Sequence, residues 1–163
     1  RPRAGADWTF LKRLRELWTG NLIVKGVLDP NDSIKIKDCG VDAIYVSGHG
    51  ARQLDSLPPA ITQLPKIRKA VGKDYPLIFD TGVRNGEDIV KAYACGADFV
   101  MLGRPVLYAI GADGERGLKT IFNYISKNFL AYLKVYLILF LTFYRHVLHR
   151  ENYRYELLFR KHL

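Results

Sequence analysis

Apolar residues recur along the chain in two alternating rhythms. Trp8, Leu11, Leu14, Leu17 and Trp18 fall at helical spacing, with Asp7 or Thr9 placed to cap the helix. The run Leu22-Ile23-Val24-Lys25-Gly26-Val27 then reads as a short buried strand. Asp29-Pro30 opens a second helix, Pro30 suiting its first turn, and Cys39-Gly40 closes it. The pattern repeats three times. Ala43–Val46 is a strand, and a helical stretch carries Ile61, Leu64, Ile67 and Val71 and is punctuated by Pro65. Leu77–Asp80 is a strand, followed by a helix from about Glu87 to Cys95; Phe99–Leu102 is the last strand.

Strands separated by helices predict parallel βα units and an α/β fold. The strands are almost wholly apolar, as expected when both faces of a sheet are covered. Polar and glycine-rich residues gather just after each strand, on the edge where such folds bind ligands. A closed (β/α)8 barrel takes about 250 residues, so four units within 163 residues amount to half a barrel or an open α/β sheet.

Three clusters carry candidate chemistry. His49 lies between Gly48 and Gly50 after the second strand, and Arg52 follows three residues on. A loop histidine flanked by glycines is commonly structural. Its position at a strand end beside Arg52 favours a base next to a carboxylate anchor, suited to proton abstraction. Lys25 sits inside an apolar strand, where a charge is costly unless it meets a partner; it either points into the ligand mouth or snorkels at the strand end. Asp80-Thr81-Gly82-Val83-Arg84 and Gly103-Arg104 follow successive strands, an order that suits a phosphate site built from backbone N–H groups and guanidinium charge.

Val24–Val27, Val46–Asp55, Asp80–Gly86 and Leu102–Pro105 together resemble the C-terminal half of the FMN-dependent 2-hydroxy acid dehydrogenases and oxidases, the family of glycolate oxidase, lactate dehydrogenase and mandelate dehydrogenase. The resemblance runs from about Asp7 to about Phe122. It implies the C-terminal half of a TIM barrel, FMN as cofactor, and oxidation of a small L-2-hydroxy acid to a 2-oxo acid. The electron acceptor it implies is oxygen, a cytochrome or a quinone. By the same resemblance His49 accepts the substrate proton and Arg52 binds the substrate carboxylate. Lys25 and Ser47 touch the flavin, where the Lys25 charge favours the reduced anionic ring. Asp80, Thr81, Gly82, Val83 and Arg84, with Gly103 and Arg104, hold the ribityl chain and phosphate. Members of the family are often homo-oligomers.

Two positions depart from the family pattern. Gly48 stands where the family usually has Asn, and Thr81 where it has Gly. The family's first four strands, with further flavin contacts, a tyrosine pair and an aspartate that orients the histidine, have no counterpart here. The expectation is therefore an incomplete enzyme that binds FMN weakly or not at all. The rival readings are another phosphate-binding barrel, such as an FMN-dependent isomerase or an IMP dehydrogenase-like protein, and a non-catalytic basic module for membrane surfaces or nucleic acid.

Charge changes the picture mainly for the last rival. The formal net charge is +9, but residues 1–117 hold 17 basic and 14 acidic groups, and residues 118–163 hold 8 and 2. The motif-bearing part is nearly balanced, which argues against a specific nucleic-acid partner. All 14 glycines lie at or before Gly117 and all 7 prolines at or before Pro105, so the chain divides into a half-barrel at 1–122 and an apolar, basic helical tail at 123–163.

Three readings of the tail compete: a helix packed on the half-barrel, weak membrane association through 129–144 with the basic stretch Arg145–Lys161 at the headgroups, or sequence from a misread gene boundary. As a helix, 129–144 spans about 24 Å, short of a bilayer core. His146, His149 and His162 are expected at the surface, with no carboxylate or cysteine cluster to complete a metal site. The expected location is cytoplasmic, with a membrane surface or the peroxisome as alternatives. The C-terminal Lys-His-Leu shares only its last residue with a peroxisomal Ser-Lys-Leu, and no apolar core follows Arg1–Asp7 to make a signal peptide. Cys39 and Cys95 fit a reducing compartment.

Overall fold

The computed structural model describes residues 6–52 and 54–150, with side chains through residue 142 except at residue 140. Its elements are α1 (Trp8–Leu17), β1 (Ile23–Val27), α2 (Pro30–Asp38), β2 (Ala43–Val46), a single 3-10 turn (His49–Ala51), α3 (Ala60–Val71), β3 (Leu77–Phe79), α4 (Gly86–Ala94), β4 (Phe99–Val100) and α5 (Arg104–Arg150). Each start has a local cause. Asp7 accepts the Phe10 N–H at 2.8 Å, and Asp29 accepts those of Asn31 and Asp32 ahead of Pro30. Asn85 caps α4 by accepting the Asp88 N–H.

The four strands are parallel in the order β1-β2-β3-β4, an α/β half-barrel. Ile44, Val46, Leu77 and Phe79 point to one side, where Leu64, Ile67 and Val71 of α3 bury them almost completely. Arg68 of α3 staples the far end of the sheet, donating to the carbonyls of Gly72, Tyr75 and Gly96 and pairing with Asp98 at 2.5 Å.

The other side of the sheet differs from expectation. Lys25, Tyr45, Ile78 and Phe99 stand in register across all four strands, and this row is not covered as the apolar strands suggested. Ile23 is 48% and Phe99 56% exposed. Four strands curve only half way round, and among the described residues no second wall meets this inner face.

Helix α5 breaks at Asp113 and Gly114, then runs unbroken past residues 122 and 123. It packs against α4: Ile125 is buried, the Tyr93 and Phe129 rings lie 6.3 Å apart, and Tyr132 hydrogen-bonds Glu87, which also pairs with Lys91 at 2.7 Å. The packed-helix reading of the tail thus describes its first half. Further along, Leu137, Ile138 and Leu139 are more than half exposed. No helix among the described residues is long and apolar enough to cross a membrane. The expectations for Arg145–Lys161 and for His146, His149 and His162 lie outside the described side chains, as do those for the two termini.

The docking of α5 depends on Gly86. A Cβ at that position would collide with the backbone of Asn128 and Phe129. Gly86→Val is expected to lift α5 from α4 while leaving the sheet intact. Amide exchange should speed up across residues 120–135 by at least about tenfold, and not in β2 or β3.

Candidate active site

The C-terminal ends of β1–β4 open on one cavity of about 1010 Å³. Lys25 enters from β1. His49, Gly50 and Arg52 come from the loop after β2, residues 80–84 from the loop after β3, and Gly103 and Arg104 from the start of α5; Leu107, Tyr108 and Ile121 of α5 close one side.

Asp80 is the hub. Its carboxylate pairs with the Lys25 ammonium at 3.1 Å and accepts the Thr81 hydroxyl at 2.8 Å, and the hydroxyls of Ser47 and Tyr45 also donate to it. Burial pushes the Asp80 carboxyl up, but the four donors Ser47, Thr81, Tyr45 and Lys25 more than offset it and hold it below its ordinary value of 3.8. The Lys25 ammonium also lies 4.4 Å from the centre of the Tyr45 ring. Burial first, and then the Asp80 charge, raise the Tyr45 phenol well above its ordinary 10.0, so it remains a donor.

The histidine loop is wound the unusual way. His49, Gly50 and Ala51 have φ of 50°, 64° and 64°. Two non-glycine residues in the left-handed region cost on the order of 1 kcal/mol each, a strain of the kind found at functional sites. The Ser47 hydroxyl accepts the His49 N–H at 3.1 Å and braces the turn from beneath. A Cβ built on Gly50 would sit 3.6 Å from the Arg104 guanidinium, so the loops after β2 and β4 meet over the cavity.

The opposite end suits an anion. Arg84 and Arg104 bring guanidinium groups, and α5 begins there. The Arg84 N–H is taken by Asp88, which leaves its side chain for a ligand. Gly82, at φ 91°, and Gly103 have no atom within 4 Å of where a Cβ would stand, so both present bare backbone to open space.

Ten of the eleven residues singled out in the sequence line this cavity: Lys25, His49, Arg52, Asp80, Thr81, Gly82, Val83, Arg84, Gly103 and Arg104. Ser47 is the exception. It is 1% exposed and lies under the loop, touching Asp80 and His49. Val83 borders the cavity and is also part of the buried core. Sequence reasoning missed Tyr45 and Tyr108. The signal for Tyr45 was a polar tip in an apolar strand; in the sheet it pairs directly with Lys25.

The two departures from the family pattern touch each other. The Gly48 N–H donates to the Thr81 hydroxyl at 3.0 Å, and a Cβ on Gly48 would lie 3.6 Å from the Thr81 methyl. Thr81 occupies φ 79°, a backbone region that favours glycine. Thr81→Gly is expected to relieve strain but to lose both hydroxyl bonds. Gly48→Asn alone should crowd Thr81. The double variant should recover at least about 0.5 kcal/mol over the sum of the singles in a denaturation cycle.

A family model for FMN-dependent dehydrogenases matches residues 2–136. The L-lactate dehydrogenase of Pseudomonas syringae pv. syringae is 43% identical over 122 residues, covering 75% of this chain and 32% of that protein. Among solved structures, a lactate oxidase of Pediococcus acidilactici superposes with a TM-score of 0.71 at 41% identity, covering 76% of this chain and 34% of its own. A soluble mutant of the membrane-associated (S)-mandelate dehydrogenase of Pseudomonas putida gives 0.75 at 36% identity, covering 80% and 37%. The chain spans about a third of the length of the curated relatives it matches. With the strand-end cavity and its residues in place, and the family match running through most of the sequence, the chain belongs to the FMN-dependent dehydrogenase family.

Proposed function

We propose that the chain forms the C-terminal part of the site of an FMN-dependent enzyme that oxidises an L-2-hydroxy acid to a 2-oxo acid. The observation that carries this reading is one cavity shared by the strained His49 turn, Arg52, the Lys25–Asp80 pair and the Arg84–Arg104 end. An isomerase or an IMP dehydrogenase-like barrel needs the phosphate end but gives no reason for His49 and Arg52.

The residues present fit FMN. Bare backbone at Gly82 and Gly103 leaves room for a chain, and Arg84 and Arg104 are donor-only groups suited to a phosphate dianion. Bound there, FMN supplies the two-electron acceptor for the substrate carbon. Arg52 grips the substrate carboxylate and fixes which face of the acid meets His49. The His49 imidazole takes one proton from the substrate, and its left-handed turn keeps it at the cavity wall. Asp80 holds the Lys25 ammonium in place, and Ser47 braces the turn that carries the base.

The wider expectations belong to the same proposal. Among the described residues the half-barrel runs to about residue 122, and α5 extends beyond it through residue 150. The substrate is a small 2-hydroxy acid, and the electron acceptor is oxygen, a cytochrome or a quinone. The protein is cytoplasmic, with weak membrane attachment through 129–144, where exposed Leu137, Ile138 and Leu139 support contact with a lipid surface.

Joining this chain to the portion of the Pseudomonas syringae relative that the match leaves uncovered tests the activity. L-Lactate oxidation with an artificial acceptor, absent from each piece alone, is the expected result. A chimera that folds and holds FMN but turns over no L-2-hydroxy acid would refute the reading.

A further inference from the structure

Tyr45 touches the cavity wall without lining the cavity. It is the direct β2 partner of Lys25, and theirs is the last regular pair before the register shifts across Gly26, which takes φ 95°. Neighbouring strands stand about 4.8 Å apart, so paired side chains on one face lie side by side. The Lys25 ammonium accordingly sits 4.4 Å from the centre of the Tyr45 ring. The same ammonium pairs with the Asp80 carboxylate at 3.1 Å. Asp80 is fixed in turn by the Thr81 hydroxyl at 2.8 Å and by the buried Ser47. The Tyr45 hydroxyl donates to that carboxylate as well. One phenol therefore contacts both members of the ion pair, its ring on the cation and its hydroxyl on the anion.

We propose that Tyr45 is a positioning residue: with Asp80 it clamps the Lys25 ammonium at the strand ends, and so sets how strongly that charge favours a reduced, negatively charged flavin over an oxidised one. The inference rests on the flavin reading. A lysine carries its charge on a flexible four-carbon stem, and a single ion pair leaves the ammonium free to swing about the carboxylate. The ring face supplies a second contact from a different strand. A second carboxylate would hold the ammonium as firmly but cancel its charge. An aromatic ring holds it and leaves the positive charge in place, which is what stabilisation of a developing negative charge requires. An aliphatic residue at position 45 would fill the strand and offer neither handle.

Titration of oxidised and of chemically reduced FMN into the full chain tests it, the readout being the ratio of the two dissociation constants. Tyr45→Leu is expected to lower the preference for reduced FMN about tenfold, equivalent to about 30 mV on a two-electron potential. Tyr45→Phe keeps the ring and loses the hydroxyl, and should lower it about threefold. Ile78→Val alters packing beside Tyr45 in the same row of the sheet and should leave the ratio unchanged. Should Tyr45→Leu lose its fold, Tyr45→Phe carries the test alone.

The full chain without flavin gives a second reading. Carbon relaxation at Lys25 Cε should show a loss of side-chain order in Tyr45→Leu and none in Ile78→Val. FMN bound with the parent ratio in both Tyr45 variants overturns this inference and leaves the flavin reading standing. So does a Lys25 as ordered without the ring as with it, or an equal loss in Ile78→Val, which would reduce Tyr45 to packing. Binding of neither form of FMN removes the flavin reading and the inference with it.

Discussion

His49→Gln, placed in the chimera with the Pseudomonas syringae relative, is expected to lower kcat for L-lactate by about two to four orders of magnitude, the usual worth of a positioned base. Glutamine keeps the approximate size of the side chain and cannot take the proton. Bound FMN, read from its visible absorption, should not change, because the proposed phosphate end, Arg84 and Arg104, is left intact. Arg52→Lys should act differently, chiefly raising KM, since lysine keeps the charge but loses the two-pronged grip on a carboxylate. Equal kcat in the His49→Gln and parent chimeras would remove His49 from the chemistry.

Asp80→Ala is expected to be the most destabilising substitution at the site. It strips the acceptor from the enclosed Ser47 hydroxyl, from Thr81 and from Tyr45, and leaves Lys25 without its partner. A cost of about 2–3 kcal/mol in urea unfolding follows from leaving buried donors unmet, and Asp80→Asn should recover part of it. The pH dependence has a definite sign. The Asp80 carboxyl is held below its ordinary 3.8 in the folded chain, so its charged form contributes stability in full above that value. The contribution falls away as the pH drops from 3.8 through the lower folded value. The stability gap between the parent and Asp80→Asn should therefore be flat above about pH 5 and shrink below 3.8. A gap that widens in acid would mean that Asp80 is not the hub.

What the sequence disclosed was local. Trp8 through Leu17, the Asp7 cap and the Pro30 start could be read from spacing and cap chemistry. The apolar strands marked where β1–β4 run, and the residues just after them marked the cavity. Contacts between distant positions could not be read. Gly48 and Thr81 lie 33 residues apart, and only the parallel pairing of β2 with β3 brings them into contact. Tyr45 looks like one more bulky strand residue until the register sets it beside Lys25 and its hydroxyl on Asp80. Ser47, expected to touch the flavin, is 1% exposed just after β2 and accepts the His49 N–H, a brace that the sequence did not reveal. The apolar strands also suggested two covered faces. Apolar composition records what a residue is suited to face, not whether a covering wall is present.

The proposed reading gives Arg84 and Arg104 the phosphate end and His49 the base of a flavin site. Titration of FMN into the full chain, followed by flavin fluorescence and calorimetry, tests it most directly. The expected result is weak binding, with a dissociation constant above about 10 µM, weakened at least about tenfold further by Arg84→Ala together with Arg104→Ala. A stoichiometric yellow complex of nanomolar affinity, or binding indifferent to both arginines, would contradict it.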